Sequence, residues 1–217
     1  MDFFKMTEFN IKLDRDNVFF LMDCKKENPV YEELNSEYDE VETEFLKKLK
    51  PVAFYKFGKI SEELANQIDA KGDCHTPVIY VLMSIGDEVT ELGSSYFAKG
   101  DYVLGMLINA MADTYLFQMD NYIQSVIRQE CLSRHFGIAK RLEAPSNVPM
   151  SIQEDILEQI KEVEPLSIGV TRGYMFTTVK TMGYLLVLTE DEGMNHAGHD
   201  CSTCSAKNCR MRKHKQN

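Results

Sequence analysis

From Tyr102 to about Arg134 apolar side chains return at three- and four-residue steps without interruption: Leu104, Leu107, Ile108, Met111, Tyr115, Met119, Tyr122 and Val126. That spacing matches the 3.6-residue helical turn and predicts one long central helix. Any fold for this chain has to be organised around such a rod. Asp101, after Lys99 and Gly100, is suited to cap its first turn, because a side-chain oxygen there accepts from an orphan backbone N–H. Gly105, Ala110 and Ala112 are small and would admit a close neighbour.

The remaining segments are shorter. The stretch from Phe9 to Cys24 reads as a short strand, a capping turn at Asp14 to Asp16 and the start of a helix. Glu32 to Glu44 holds seven carboxylates and no Lys or Arg, while Leu34, Tyr38, Val41, Phe45 and Leu49 keep a helical period. It predicts an amphipathic helix with an acidic, solvated outer face. Pro51 ends it, and the run from Val52 to Ile60 reads as a strand. Residues 77 to 99 read as a second helix, with Pro77 tolerated in its first turn. Ala144 to Met150, with two prolines four apart, is a constrained loop. Ser151 and Glu154 have the spacing of a capping box for the helix that follows. Two β-rich runs, Ser167–Thr171 and Gly183–Glu190, close the body. The order of elements predicts an α+β fold, a twisted antiparallel sheet with long central helices.

An apolar content of 44% is enough for a real core, and the net charge of −10 argues against general nucleic-acid binding. The longest apolar runs are shorter than a bilayer span and the N-terminus has no signal-peptide pattern, so the expectation is a cytoplasmic protein without membrane association. Charge is unevenly placed. Residues 195–217 carry Lys207, Arg210, Arg212, Lys213 and Lys215 against Asp200, a net +4 that leaves −14 on the rest. This divides the chain into a body, 1–194, and a basic tail, 195–217. Three of the six cysteines, Cys201, Cys204 and Cys209, lie in that tail. Cys24, Cys74 and Cys131 are dispersed and read as structural thiols, since a reducing compartment argues against a disulfide framework.

No glycine-rich phosphate loop, His-Glu-x-x-His pair or nucleophile elbow is present. Three segments nevertheless carry a resemblance. Gly100–Arg128, with Ala110, Ala112 and Asp113, resembles the long helix of the reactivation domain of cobalamin-dependent methionine synthase. Gly137–Leu157 is similar to that family's Arg-x-x-x-Gly-Tyr-Pro element and the helix after it. Gly169–Thr189 looks like its Thr-x-Ser-Phe/Tyr-x-Met-x-Pro run and the strand after it. Stand-alone members from anaerobes also begin with an Ile-x-x-Asp-Arg strand and end in a Cys-x2-Cys-x4-Cys-x2-Arg tail. Here those are Ile11–Arg15 and Cys201–Arg210.

The resemblance implies a domain that binds S-adenosylmethionine and reactivates a corrinoid-binding methyltransferase by reductive methylation of Co(II) cobalamin on that partner. The electron would come from a donor such as flavodoxin or ferredoxin. By the same resemblance Arg141 would hold the ligand's carboxylate, a task suited to a guanidinium fork. Asp113, Ser146, Asn147 and Tyr174 would complete the site. The sequence departs from the family at Pro145-Ser146-Asn147, where Gly-Tyr is usual, at Thr178, where proline is usual, and at Phe117, where a carboxylate is usual. A phenyl face attracts a sulfonium by about 0.5 to 2 kcal/mol. A degenerate module that docks on or chaperones a corrinoid protein without delivering methyl is the rival reading.

Plainer structural roles stand beside these. Asp113 is also readable as a polar break facing water, Arg141 as a surface cation closing a helix, and Tyr174 as a core ring. In the tail, Cys201, Cys204 and Cys209 with His199 as a fourth ligand form a set that zinc or an iron–sulfur cluster accepts, with His196 the weaker choice for the fourth place. A scaffold that merely carries a metal-binding tail is the third reading.

Overall fold

The structure, a computed structural model, describes residues 2–60, 65, 76–162 and 164–199. Its elements in chain order are β1 (Phe3–Met6), α1 (Arg15–Leu21), α2 (Tyr31–Lys48), β2 (Val52–Lys59), β3 (Pro77–Ser84), α3 (Glu88–Ala98), α4 (Tyr102–Ser133), β4 (Gly137–Leu142), α5 (Ile152–Lys161) and β5 (Thr181–Thr189). The five strands form one sheet in the order β1-β2-β3-β5-β4. Every neighbouring pair is antiparallel. The expected α+β fold with an antiparallel sheet and long helices is the one observed.

Side chains alternate across the strands, and both faces are covered. On one face Ala53, Tyr55, Ile79, Val81, Met83, Tyr184 and Leu186 pack against α1 to α4. On the other, Phe54, Val78, Tyr80, Leu82 and Leu185 pack against Ile152, Ile156 and Ile160 of α5. The rod is α4, 32 residues long. Asp101 caps it as its position suggested, accepting from the Leu104 N–H at 3.1 Å. Asp14 does the same for α1, accepting from Asn17 at 3.1 Å. Gly105 shows why small residues recur on α4: a Cβ there would lie 2.8 Å from the Phe97 ring of α3.

Several local expectations are corrected. Residues 77–99 are not one helix. Pro77–Ser84 is a strand whose side chains from Val78 onward are all buried, and only Glu88–Ala98 is helical. A strand covered on both faces has no alternation, so its apolar run reads as a buried helix. The N-terminal strand is Phe3–Met6 rather than the Phe9–Leu13 stretch. Ser151 is itself helical in φ/ψ and its side chain caps nothing, so the capping box does not form. Of the Ser167–Thr171 run only a single bridge, Val170 to Phe176, is made. The structural reading of two thiols agrees with their burial: Cys24 and Cys131 are buried, and desolvation pushes the Cys131 thiol up to about 11. Cys74 lies outside the described residues.

Lys56 on β2 is completely buried on the α5 face. Its ammonium donates to the Gln159 carbonyl at 2.9 Å, to Gln159 Oε1 at 3.0 Å and to Glu162 Oε2 at 2.6 Å. These bonds tie the C-terminal turn of α5 to the sheet, where free carbonyls and a cation suit each other. Lys56→Met would leave the Gln159 carbonyl without this donor, while the half-exposed Glu162 would return to water. A loss of about 1 to 2 kcal/mol in urea unfolding is expected; an unchanged midpoint would show that the ammonium stabilises nothing.

Candidate functional site

The long helix sets out one stripe at helical spacing, Asp113, Phe117, Asp120 and Gln124, which steps of four, three and four residues bring to one side; Phe117 is exposed and Asp120 buried. Two cations reach this stripe from the sheet layer. Lys180, immediately before β5, donates to Asn109 Oδ1 at 2.7 Å and Asp113 Oδ1 at 2.6 Å. Arg141, from β4, donates through Nη1 to Asp120 Oδ2 at 2.8 Å and through Nε to Glu143 Oε2 at 2.7 Å. The two pairs are seven residues apart on α4, about 10 Å along its axis. Phe117, 37% exposed, lies between them.

Arg141 is 6% exposed, which corrects its reading as a surface cation closing a helix. Its guanidinium carbon lies 3.7 Å from the centroid of the Tyr184 ring. Nη1 also donates to the Ala197 carbonyl at 3.4 Å, and Nη2 lies 3.5 Å from Met182 Sδ. Below it, Asp120 Oδ1 and the Tyr184 hydroxyl are buried without a hydrogen bond of normal geometry. Burial first, then the Asp120 charge, holds the Tyr184 hydroxyl well above its ordinary pKa. The cluster therefore contains a cation, two carboxylates and a phenol in little water.

The other residues singled out from the sequence fall as follows. Asn147 serves the Arg141 strand end: its Nδ2 donates to the Arg141 carbonyl at 2.9 Å and its Oδ1 accepts from the Glu143 N–H at 2.8 Å. Ser146 is half-buried in the same loop, after the cis Ala144–Pro145 bond. Asp113 belongs to the Lys180 pair and not to the Arg141 cluster. Tyr174 is neither a core ring nor a strand residue; it occupies a turn at φ 59°, is 36% exposed, and donates its N–H to the Thr171 carbonyl at 3.0 Å. Thr178 is buried and donates to Asp87 at 3.1 Å. His199 contacts Glu143 through Nδ1. Cys201, Cys204 and Cys209 lie outside the described residues. Among the described residues no three His, Cys, Asp or Glu side chains are grouped to hold a metal ion.

Sequence reasoning missed Asp120, Glu143, Lys180 and Tyr184. Asp120 was the most accessible of these, since it follows Asp113 by two helical turns on one face. A separate hollow of about 540 Å³ opens between α1, α2 and α4, lined among others by Lys12, Asp14, Arg15, Tyr38, Glu42 and Gln118. Among the described residues no helix is long and apolar enough to cross a membrane.

The fold is an α+β domain of five antiparallel strands backed by long helices. Among solved structures its fold is similar to that of the MetH reactivation domain bound to AdoHcy, with a TM-score of 0.61 at 11% identity, over 98% of this chain and 86% of that one. No family model matches the chain, and no curated protein matches it.

Proposed function

We propose that the chain reactivates a corrinoid protein, binding S-adenosylmethionine along the α4 stripe. The observation that carries this reading is the Arg141–Asp120–Glu143 cluster, set two turns from Asp113 in a domain folded like one that was solved with AdoHcy bound. An amino-acid end needs a guanidinium for its carboxylate and a carboxylate for its ammonium, and Arg141 and Asp120 are those groups. Phe117 would present its face to the sulfonium. Asp113 has one carboxylate oxygen beyond its Lys180 bond and would take the ribose hydroxyls, with Ser146 and Tyr174 towards the nucleoside. Asn147 acts indirectly, fixing the strand end that carries Arg141. When bound, the adenosyl ligand supplies an electrophilic methyl group to a cobalt centre on the partner. The protein's share is to orient the ligand and keep water away, which needs no general acid or base. The cysteines of the tail, with His199, would hold zinc or an iron–sulfur cluster, and a flavodoxin or ferredoxin would serve as electron donor.

A second reading, a module that docks on a corrinoid protein without delivering methyl, is favoured by the engagement of every side of the Arg141 guanidinium by the chain's own groups. Transfer of label decides between them. With a Co(II) corrinoid protein, a reductant and S-adenosylmethionine labelled on its methyl, the first reading expects label on the corrinoid at a rate at least tenfold above a chain-free control. Label at the control rate would overturn it in favour of the docking module.

A further inference from the structure

We propose that residues 194–199 form a strap that competes with the ligand for Arg141, so that the cluster binds its guest only when the strap lifts. This rests on the reading of Arg141 as the carboxylate anchor. The strap lies along β4, an outer strand of the sheet. It is held there by two backbone hydrogen bonds, Ile138 N–H to the Met194 carbonyl at 3.1 Å and His196 N–H to the Ile138 carbonyl at 2.9 Å. Its root is clamped from α4 by Arg128, whose Nη1 donates to the Met194 carbonyl at 2.9 Å and Nη2 to the Glu192 carbonyl at 2.6 Å. From that root the chain delivers Ala197, 3% exposed, so that its carbonyl meets the Arg141 guanidinium, and then His199, whose ring meets Glu143.

The bond to be displaced is the longest that the guanidinium makes to an oxygen. Ala197 offers a neutral oxygen at 3.4 Å, whereas a ligand carboxylate would make a shorter, charge-assisted bond at the same nitrogen. Among the described residues a single bridge, Ile138 to Asn195, is all the ladder the strap makes. Apparent affinity then equals intrinsic affinity reduced by the fraction of molecules with the strap lifted. Loosening the strap far from Arg141 should therefore tighten binding.

Two full-length variants test this without touching the cluster. Arg128→Met removes the clamp, and His196→Pro removes the N–H that bonds to Ile138. Calorimetric titration with S-adenosylhomocysteine should give each a dissociation constant at least tenfold below that of the parent chain, with melting curves confirming that both fold. Equal affinities for parent and variants would overturn the strap and leave the binding site standing. No heat of binding from any of the three would overturn both. If one variant fails to fold, the other decides alone.

Discussion

Arg141→Ala is expected to lower the stability of the chain by about 3 to 5 kcal/mol, the usual consequence of removing one member of a buried ion pair. The guanidinium separates Asp120 and Glu143, whose side chains are 10% and 15% exposed. Without it two carboxylates remain close together with little water, and the Tyr184 ring loses the cation stacked on it. For a chain of this size about 2 to 4 °C accompanies each kcal/mol, so the melting midpoint should fall by about 6 to 20 °C. Arg141→Lys should recover only part of this, because one ammonium cannot serve two carboxylates with the geometry of a planar fork. Urea unfolding of the parent and both variants measures the difference. A change below about 1 kcal/mol for the alanine variant would mean that the cluster is not a buried ion pair in solution.

Gly137→Ala should also be damaging, by a smaller amount and for a different reason. A Cβ at this position would lie 1.8 Å from the Asp191 carbonyl oxygen and 3.1 Å from that of Met194. Both obstacles are backbone, so no side-chain rotation relieves the clash and either β4 or the chain at Asp191–Met194 must move. Overpacking of this kind costs about 1 to 3 kcal/mol. The distinguishing readout is local: amide exchange at Ile138 and His196, whose N–H groups bond across this junction, should accelerate well beyond that of the sheet centre. Unchanged protection at those two amides would show that the 190s segment does not rest on β4.

What was readable beforehand follows from where the information lies. The long helix and its Asp101 cap were legible because both are local: a period, and an oxygen three residues from the amide it accepts from. The Pro77–Ser84 strand was not, since a run buried on both faces carries no period to separate strand from helix. Arg141 was singled out through resemblance alone. Its burial depends on β4 pairing with β5, some 45 residues later, and on α4 crossing beneath, which no local pattern encodes. Asp120 and Lys180 were missed for the same reason, because each gains its meaning from a partner more than twenty residues away. Tyr174 stands in a positive-φ turn that an aromatic residue seldom adopts, so its β-like surroundings misdirect.

The most direct test of the proposed site is photolabelling of the full-length chain with an azido-adenine analogue of S-adenosylmethionine, followed by mapping of the labelled peptides. Label is expected within 102–133, 137–147 and 164–180, and should be suppressed by excess S-adenosylhomocysteine. Label confined to the peptides of the other hollow, around Lys12, Arg15, Tyr38 and Glu42, would contradict the assignment of the ligand to the α4 stripe and the Arg141 cluster.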